Sequence, residues 1–102
     1  MNVALSRIPA EQTVHLRLYV TGQTASAQRA QEAIALLAKN SSTIDFDIQV
    51  IDVLANPEAA LRDNVYATPT VIRSDSGIER RLIGDLSCTE KVEVGLLLEQ
   101  TR

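Results

Sequence analysis

Val14, Leu16, Leu18 and Val20 alternate with His15, Arg17 and Tyr19, the period of two expected of a strand with one better-buried face. Thr21-Gly22-Gln23-Thr24 then reads as a turn. From Ala25 the apolar positions Ala30, Ala33, Ile34 and Leu37 recur at helical spacing, which predicts a helix to about Lys39. Asn40-Ser41-Ser42 ends it with turn-forming side chains. Phe46, Ile48 and Val50 next alternate with Asp47, Gln49 and Ile51, giving a second strand over about 45–52. A helix of that length between two strands implies a crossover, so the strands should run parallel.

Asn56-Pro57 opens a short helical segment through Glu58, Ala59, Ala60 and Leu61, with Asn56 as cap and Pro57 at the first helical position. Ala67 to Ile72 and Ile78 to Ile83 flank the turn residues Ser74-Asp75-Ser76-Gly77 and predict a hairpin. Ser87 and Glu90 make a capping box ahead of Val92, Val94, Leu96, Leu97 and Leu98, which predicts a terminal helix. The resulting order, βαβαββα, is an α/β arrangement with the ordering of the thioredoxin-like fold. One domain over residues 13–102 is expected, behind a leader of residues 1–12 that lacks the apolar run of a signal peptide.

Charge and composition narrow the function classes. Ten Lys and Arg against 13 Asp and Glu leave a net charge of -3, which gives no general attraction to nucleic acid or to an anionic membrane. Three aromatic residues, Tyr19, Phe46 and Tyr66, offer little on which single-stranded bases could stack. The apolar runs fall far short of the roughly 20 residues a bilayer requires. A cytoplasmic protein without nucleic-acid or membrane partners is the expectation.

Candidate chemistry is sparse. Thioredoxin-like enzymes carry a reactive cysteine in the turn after the first strand, and here that turn is Thr21-Gly22-Gln23-Thr24. The single Cys88 excludes an intramolecular disulfide and a CxxC pair; it reads as a buried structural residue or as a thiolate favoured by the start of the last helix. His15 alternates with apolar neighbours and is expected to face solvent, without a metal or a catalytic role. Asp45 and Asp47 share a face and need only solvation. No Walker loop, GxSxG or HExxH occurs, so neither catalysis nor a cofactor is expected. Thr68-Pro69 has two readings: the cis proline of a thioredoxin-like strand entry, or a trans proline opening an edge strand.

Several segments together resemble the KaiB family: Leu16-Arg17-Leu18-Tyr19-Val20-Thr21-Gly22-Gln23-Thr24, Val50-Ile51-Asp52-Val53-Leu54, Asn56-Pro57, Ala67-Thr68-Pro69-Thr70, and Arg80-Arg81-Leu82-Ile83-Gly84-Asp85-Leu86-Ser87. They come in family order and cover about residues 14–98. The resemblance implies a non-enzymatic regulator that binds a KaiC-type ATPase, modulates its phosphorylation cycle, and meets a KaiA-type protein through that complex. It implies a resting tetramer or dimer with an alternative C-terminal half, βαββααβ overall, and a thioredoxin-like binding form. Arg17, Arg29, Arg73, Arg80 and Arg81 match positive positions of the family and would face the partner, since a basic patch suits an acidic surface. Pro69, Gly95 and Leu97 would bear on the choice of fold. Gly95 weakens a helix by about 1 kcal/mol relative to Ala, or serves close helix packing.

The sequence also departs from the family pattern. The acidic C-terminal tail is missing, Ser74-Asp75-Ser76-Gly77 replaces a proline-rich loop, and Leu97 stands where clock proteins carry an aspartate. A divergent paralogue acting as an adaptor in stress or signalling is therefore a second reading. A thiol-dependent oxidoreductase using Cys88 is a third, and it conflicts with the thiol-free first turn.

Overall fold

Gln12–Val20 forms β1, and its alternation decides where the main core lies: Val14, Leu16, Leu18 and Val20 are all buried on one face. The computed structural model describes residues 12–41, 44–75, 78–84, Leu86 and Val92. Thr24 ends the turn after β1 and caps the next helix, its Oγ1 accepting the Ala27 N–H at 3.1 Å. That helix, α1, runs over Ala25–Lys39 and buries Ala27, Ala30, Ala33, Ile34 and Leu37, as the spacing predicts. Ala27, Ala30, Ile34 and Leu37 pack with the buried side chains of β1 in one apolar cluster. Leu86 and Val92 join the same cluster.

Ile44–Asp52 forms β2, parallel to β1 as expected, in a register that pairs Leu16 with Ile48 and Leu18 with Val50. Pro57–Arg62 forms α2, Thr70–Asp75 forms β3, and Ile78–Ile83 forms β4. The sheet order is β2-β1-β3-β4, with β1–β3 and β3–β4 antiparallel. The Thr68-Pro69 bond is cis, which selects the first of the two readings of that dipeptide.

Four details differ from the sequence reading. Tyr19, placed on the open face of β1, is only 1% exposed, because α2 packs over that end of the sheet. For the same reason the burial of β2 changes face at its end: Ile51 is 8% exposed and Val50 46%. Asn56 precedes α2 but its side chain makes no capping bond; Pro57 at the helix start supplies the preset backbone angle instead. The third strand begins at Thr70 rather than Ala67. The tip of the hairpin, Cys88, Gly95, Leu97, residues 1–11 and most of the predicted terminal helix lie outside the described residues.

The end of α2 follows a pattern the sequence reading did not single out. Val65 N–H reaches the Ala60 carbonyl at 2.9 Å and Asn64 N–H the Leu61 carbonyl at 3.2 Å, the bond pair of a Schellman motif. Asn64 takes the left-handed conformation that this motif needs, with φ 55°. Val65 packs back onto the cluster of Tyr19, Ile51, Ala59, Ala60 and Ile72.

Candidate functional site

The turn after β1, where a thioredoxin-like enzyme would carry its thiol, holds hydroxyls and backbone. Thr21 Oγ1 and Thr68 Oγ1 lie 2.6 Å apart, joining that turn to the strand entry at Pro69. Gly22 has φ +58°, and its N–H donates to Asp52 Oδ1 at 3.0 Å; the Leu54 N–H donates to the same oxygen at 2.9 Å. A carboxylate accepting two backbone bonds ties the first turn to the end of β2. None of these groups is a strong nucleophile at neutral pH.

The densest polar constellation among the described residues lies on the α2 face. Alternation along β1 puts Arg17 and Tyr19 on this face, and the pairing of Ile72 with both Arg17 and Arg81 brings Arg81 of β4 to it as well. Asp63, at the end of α2, draws them together. Arg17 Nε donates to Asp63 Oδ2 at 2.9 Å, and the Tyr19 hydroxyl donates to the same oxygen and lies 3.2 Å from the Ala59 carbonyl. Arg17 Nη2 also sits 3.6 Å from Glu79 Oε2 on β4. Arg81 donates through Nη2 to the Asp63 carbonyl at 2.8 Å and through Nη1 to the Asn64 carbonyl at 3.2 Å.

Titration in this group follows from its contacts. Burial alone would raise the Asp63 pKa, but the Tyr19 hydroxyl and the Arg17 guanidinium outweigh it, and the carboxyl is held below its ordinary range. The Tyr19 phenol is pushed up, first by burial and then by its bond to the Asp63 carboxylate. An open cleft of about 460 Å³ adjoins the group, lined by Arg17, Tyr19, Gln49, Ile51, Arg62 and Asp63. Asp63 neutralises much of the positive charge there.

The five arginines expected at a partner surface do not form one patch. Arg73 faces the α1 side of the sheet next to Leu16 and is 7% exposed, so it presents little surface. Arg80 pairs with Arg73 and is exposed on that same side, while Arg29 is exposed on α1. Arg17 and Arg81 lie on the opposite side, engaged with Asp63 and the α2 terminus. Adjacent in sequence, Arg80 and Arg81 point to opposite faces because a strand alternates. Pro69 is buried beside the first turn.

His15 is exposed as expected, its Nδ1 lying 2.9 Å from Asp47 Oδ2 on the neighbouring strand; a carboxylate only accepts, so Nδ1 carries the hydrogen. Asp45 is solvent-exposed too. Large apolar side chains, among them Leu54, Leu61, Tyr66 and Ile83, are exposed. Tyr66 and Leu61, 86% and 76% exposed, flank the Schellman turn. The exposed pair was legible only as apolar residues near a short helix. Asp63, the residue that organises the site, carried no sequence signal beyond its place at a helix end.

A four-stranded sheet with this order, a cis proline beside the first turn and no thiol in that turn define a thioredoxin-like scaffold without the redox centre. Solved structures agree on the fold. The N-terminal domain of Synechococcus elongatus SasA superposes with a TM-score of 0.67 at 23% identity, covering 99% of each chain. Fasciola hepatica thioredoxin gives a TM-score of 0.67 at 22% identity, covering 86% of this chain and 82% of its own.

The family is more specific. The KaiB domain matches residues 17–98, and the chain belongs to the KaiB family. Among curated relatives, the circadian clock oscillator protein KaiB of Prochlorococcus marinus (strain MIT 9312) is 40% identical over 87 residues, 85% of this chain and 83% of that protein. The protein of the same name from Thermostichus vulcanus is 40% identical over 88 residues, 86% and 82% of the two chains. The family is one of clock regulators, not of enzymes. No helix among the described residues is long and apolar enough to cross a membrane.

Proposed function

We propose that this chain is a non-enzymatic regulator that binds a KaiC-type ATPase and modulates its phosphorylation cycle in a circadian or clock-like system. The observation that carries this reading is the KaiB match over residues 17–98 on a thioredoxin-like scaffold whose first turn holds no thiol. A protein that keeps the scaffold without the thiol acts through its surface. Arg29 and Arg80 are exposed cations without a hydrogen-bond or ion-pair partner among the described residues, and they suit an acidic partner surface by charge complementarity. Arg73 lies between Arg80 and Leu16 on that side, and Arg17 and Arg81 belong to the α2 side. A KaiA-type protein joins through the complex, and the chain works in the cytoplasm.

The chain rests as a tetramer or dimer in the alternative C-terminal arrangement and binds in the thioredoxin-like one, with Pro69, Gly95 and Leu97 bearing on the balance. The described structure corresponds to the binding form, and its superposition on the SasA domain over 99% of both chains supports that assignment. Ser74 to Gly77 and Leu97 depart from the clock pattern and favour a second reading, a paralogue that serves as an adaptor in stress or signalling with another KaiC-like partner.

Size-exclusion chromatography with light scattering, on the protein alone and after prolonged incubation with a KaiC-type ATPase and nucleotide, tests the proposal. Slow entry of an oligomer into a complex of ring size supports it. Failure to form a complex, with the ATPase in either phosphorylation state, moves the function to the adaptor reading.

A further inference from the structure

Arg81 belongs to the set of arginines expected to meet a partner, yet its guanidinium is already occupied. Nη1 and Nη2 each donate to a backbone carbonyl, those of Asn64 and Asp63. Both carbonyls belong to the turn that closes α2, where Asn64 has φ 55° and the Asn64 and Val65 amides bond back into the helix. The Asp63 carboxylate meanwhile holds Arg17 and Tyr19 of β1. One residue at a helix end is thus clamped from two strands, by its side chain from β1 and by its carbonyl from β4.

In the chain the clamped residues are flanked by Leu61 and Tyr66, the two most exposed large apolar side chains among the described residues. Tyr66 is oriented by the turn itself, its hydroxyl donating to Asn64 Oδ1 at 3.2 Å. A helix of six residues has little cooperativity of its own, so contacts from outside add to the hold on its closing turn. The Arg81 fork does this because two parallel donors on a rigid plane match two successive carbonyls.

We propose that Arg81 is a positioning residue that clamps the α2–β3 turn through the Asp63 and Asn64 carbonyls, and that its guanidinium, occupied in this way, does not itself meet the partner. The second half of this inference rests on the proposed function; the first half does not. Arg80, on the opposite face and without a partner among the described residues, is the control for the exchange measurement.

The experiment compares Arg81→Ala, Arg81→Lys and Arg80→Ala in the full chain. Amide hydrogen exchange at Asn64 and Val65 reads the clamp in the free protein. Arg81→Ala is expected to speed their exchange roughly tenfold, since it removes two charge-assisted bonds from a half-buried turn, with partial rescue by Arg81→Lys and no change in Arg80→Ala. Affinity for the KaiC-type ATPase at two salt concentrations reads the consequence. Arg81→Ala is expected to leave the salt dependence of binding as in the unmodified chain, because a direct cation contact would carry part of that dependence and a positioning residue does not.

Unchanged exchange at Asn64 and Val65 overturns the clamp, as does a rise of equal size in Arg80→Ala. A shallower salt dependence of binding in Arg81→Ala would show a direct cation contact and overturns the second half. Absence of any binding by the unmodified chain refutes the proposed function and with it the second half, while the exchange result still decides the clamp.

Discussion

The two faces of the sheet are built on different physics. On the α1 face, Val14, Leu16, Leu18 and Val20 meet Ala27, Ala30, Ile34 and Leu37 in a continuous apolar layer, where stability comes from area removed from water. On the other face, α2 has only six residues and covers one end, with a smaller cluster of Tyr19, Ile51, Ala59, Ala60 and Ile72. There the apolar contact is completed by a polar clamp, in which Asp63 and Arg81 hold the helix end to β1 and β4. A large apolar face tolerates loss of any one polar contact; a small one depends on its few charged groups.

Truncating the α1 face should have the largest effect. Leu18→Ala is expected to cost about 2–5 kcal/mol, read by denaturant unfolding, since Leu18 is fully buried beneath α1. A loss comparable to that of an exposed leucine would show that the two faces contribute alike.

Asp63→Ala should cost less, about 1–2 kcal/mol, because its bonds to Arg17 and the Tyr19 hydroxyl are only partly shielded from water. The same residue gives a pH signature. Its folded pKa lies below its unfolded value, so its stabilisation is full above the ordinary aspartate range and is lost as pH falls through the lowered folded value. Asp63→Asn should flatten that part of the acid limb in a stability profile. An unaltered limb would place the acid sensitivity elsewhere.

Thr24→Ala is expected to cost about 1 kcal/mol through the lost cap of α1, measured by thermal unfolding. The smallest effect belongs to His15→Gln, within about 0.5 kcal/mol, because His15 and Asp47 are both well exposed. A larger loss there would mean that the open end of the α2 face is covered in solution.

Much of the α1 face was legible in the chain, since period two in β1 and period 3.6 in α1 are local patterns whose apolar positions all face one way. The parallel pairing followed from the helix length between two strands. The α2 face was not legible in the same way. Tyr19 read as exposed because its neighbours on that face, His15 and Arg17, are polar, and only the arrival of a helix 40 residues later buries it.

The family, the order of the described elements, the thiol-free first turn and the main core were all legible in the chain, because each is a property of contiguous or evenly spaced residues. The folded sheet was needed to bury Arg73 and to bring Arg17, Tyr19, Asp63 and Arg81 together at one helix end. Those outcomes depend on strand register and on which short helix lands on which face. Hydrogen-bond partners so far apart in the chain leave no local pattern, because their geometry exists only once the sheet has formed.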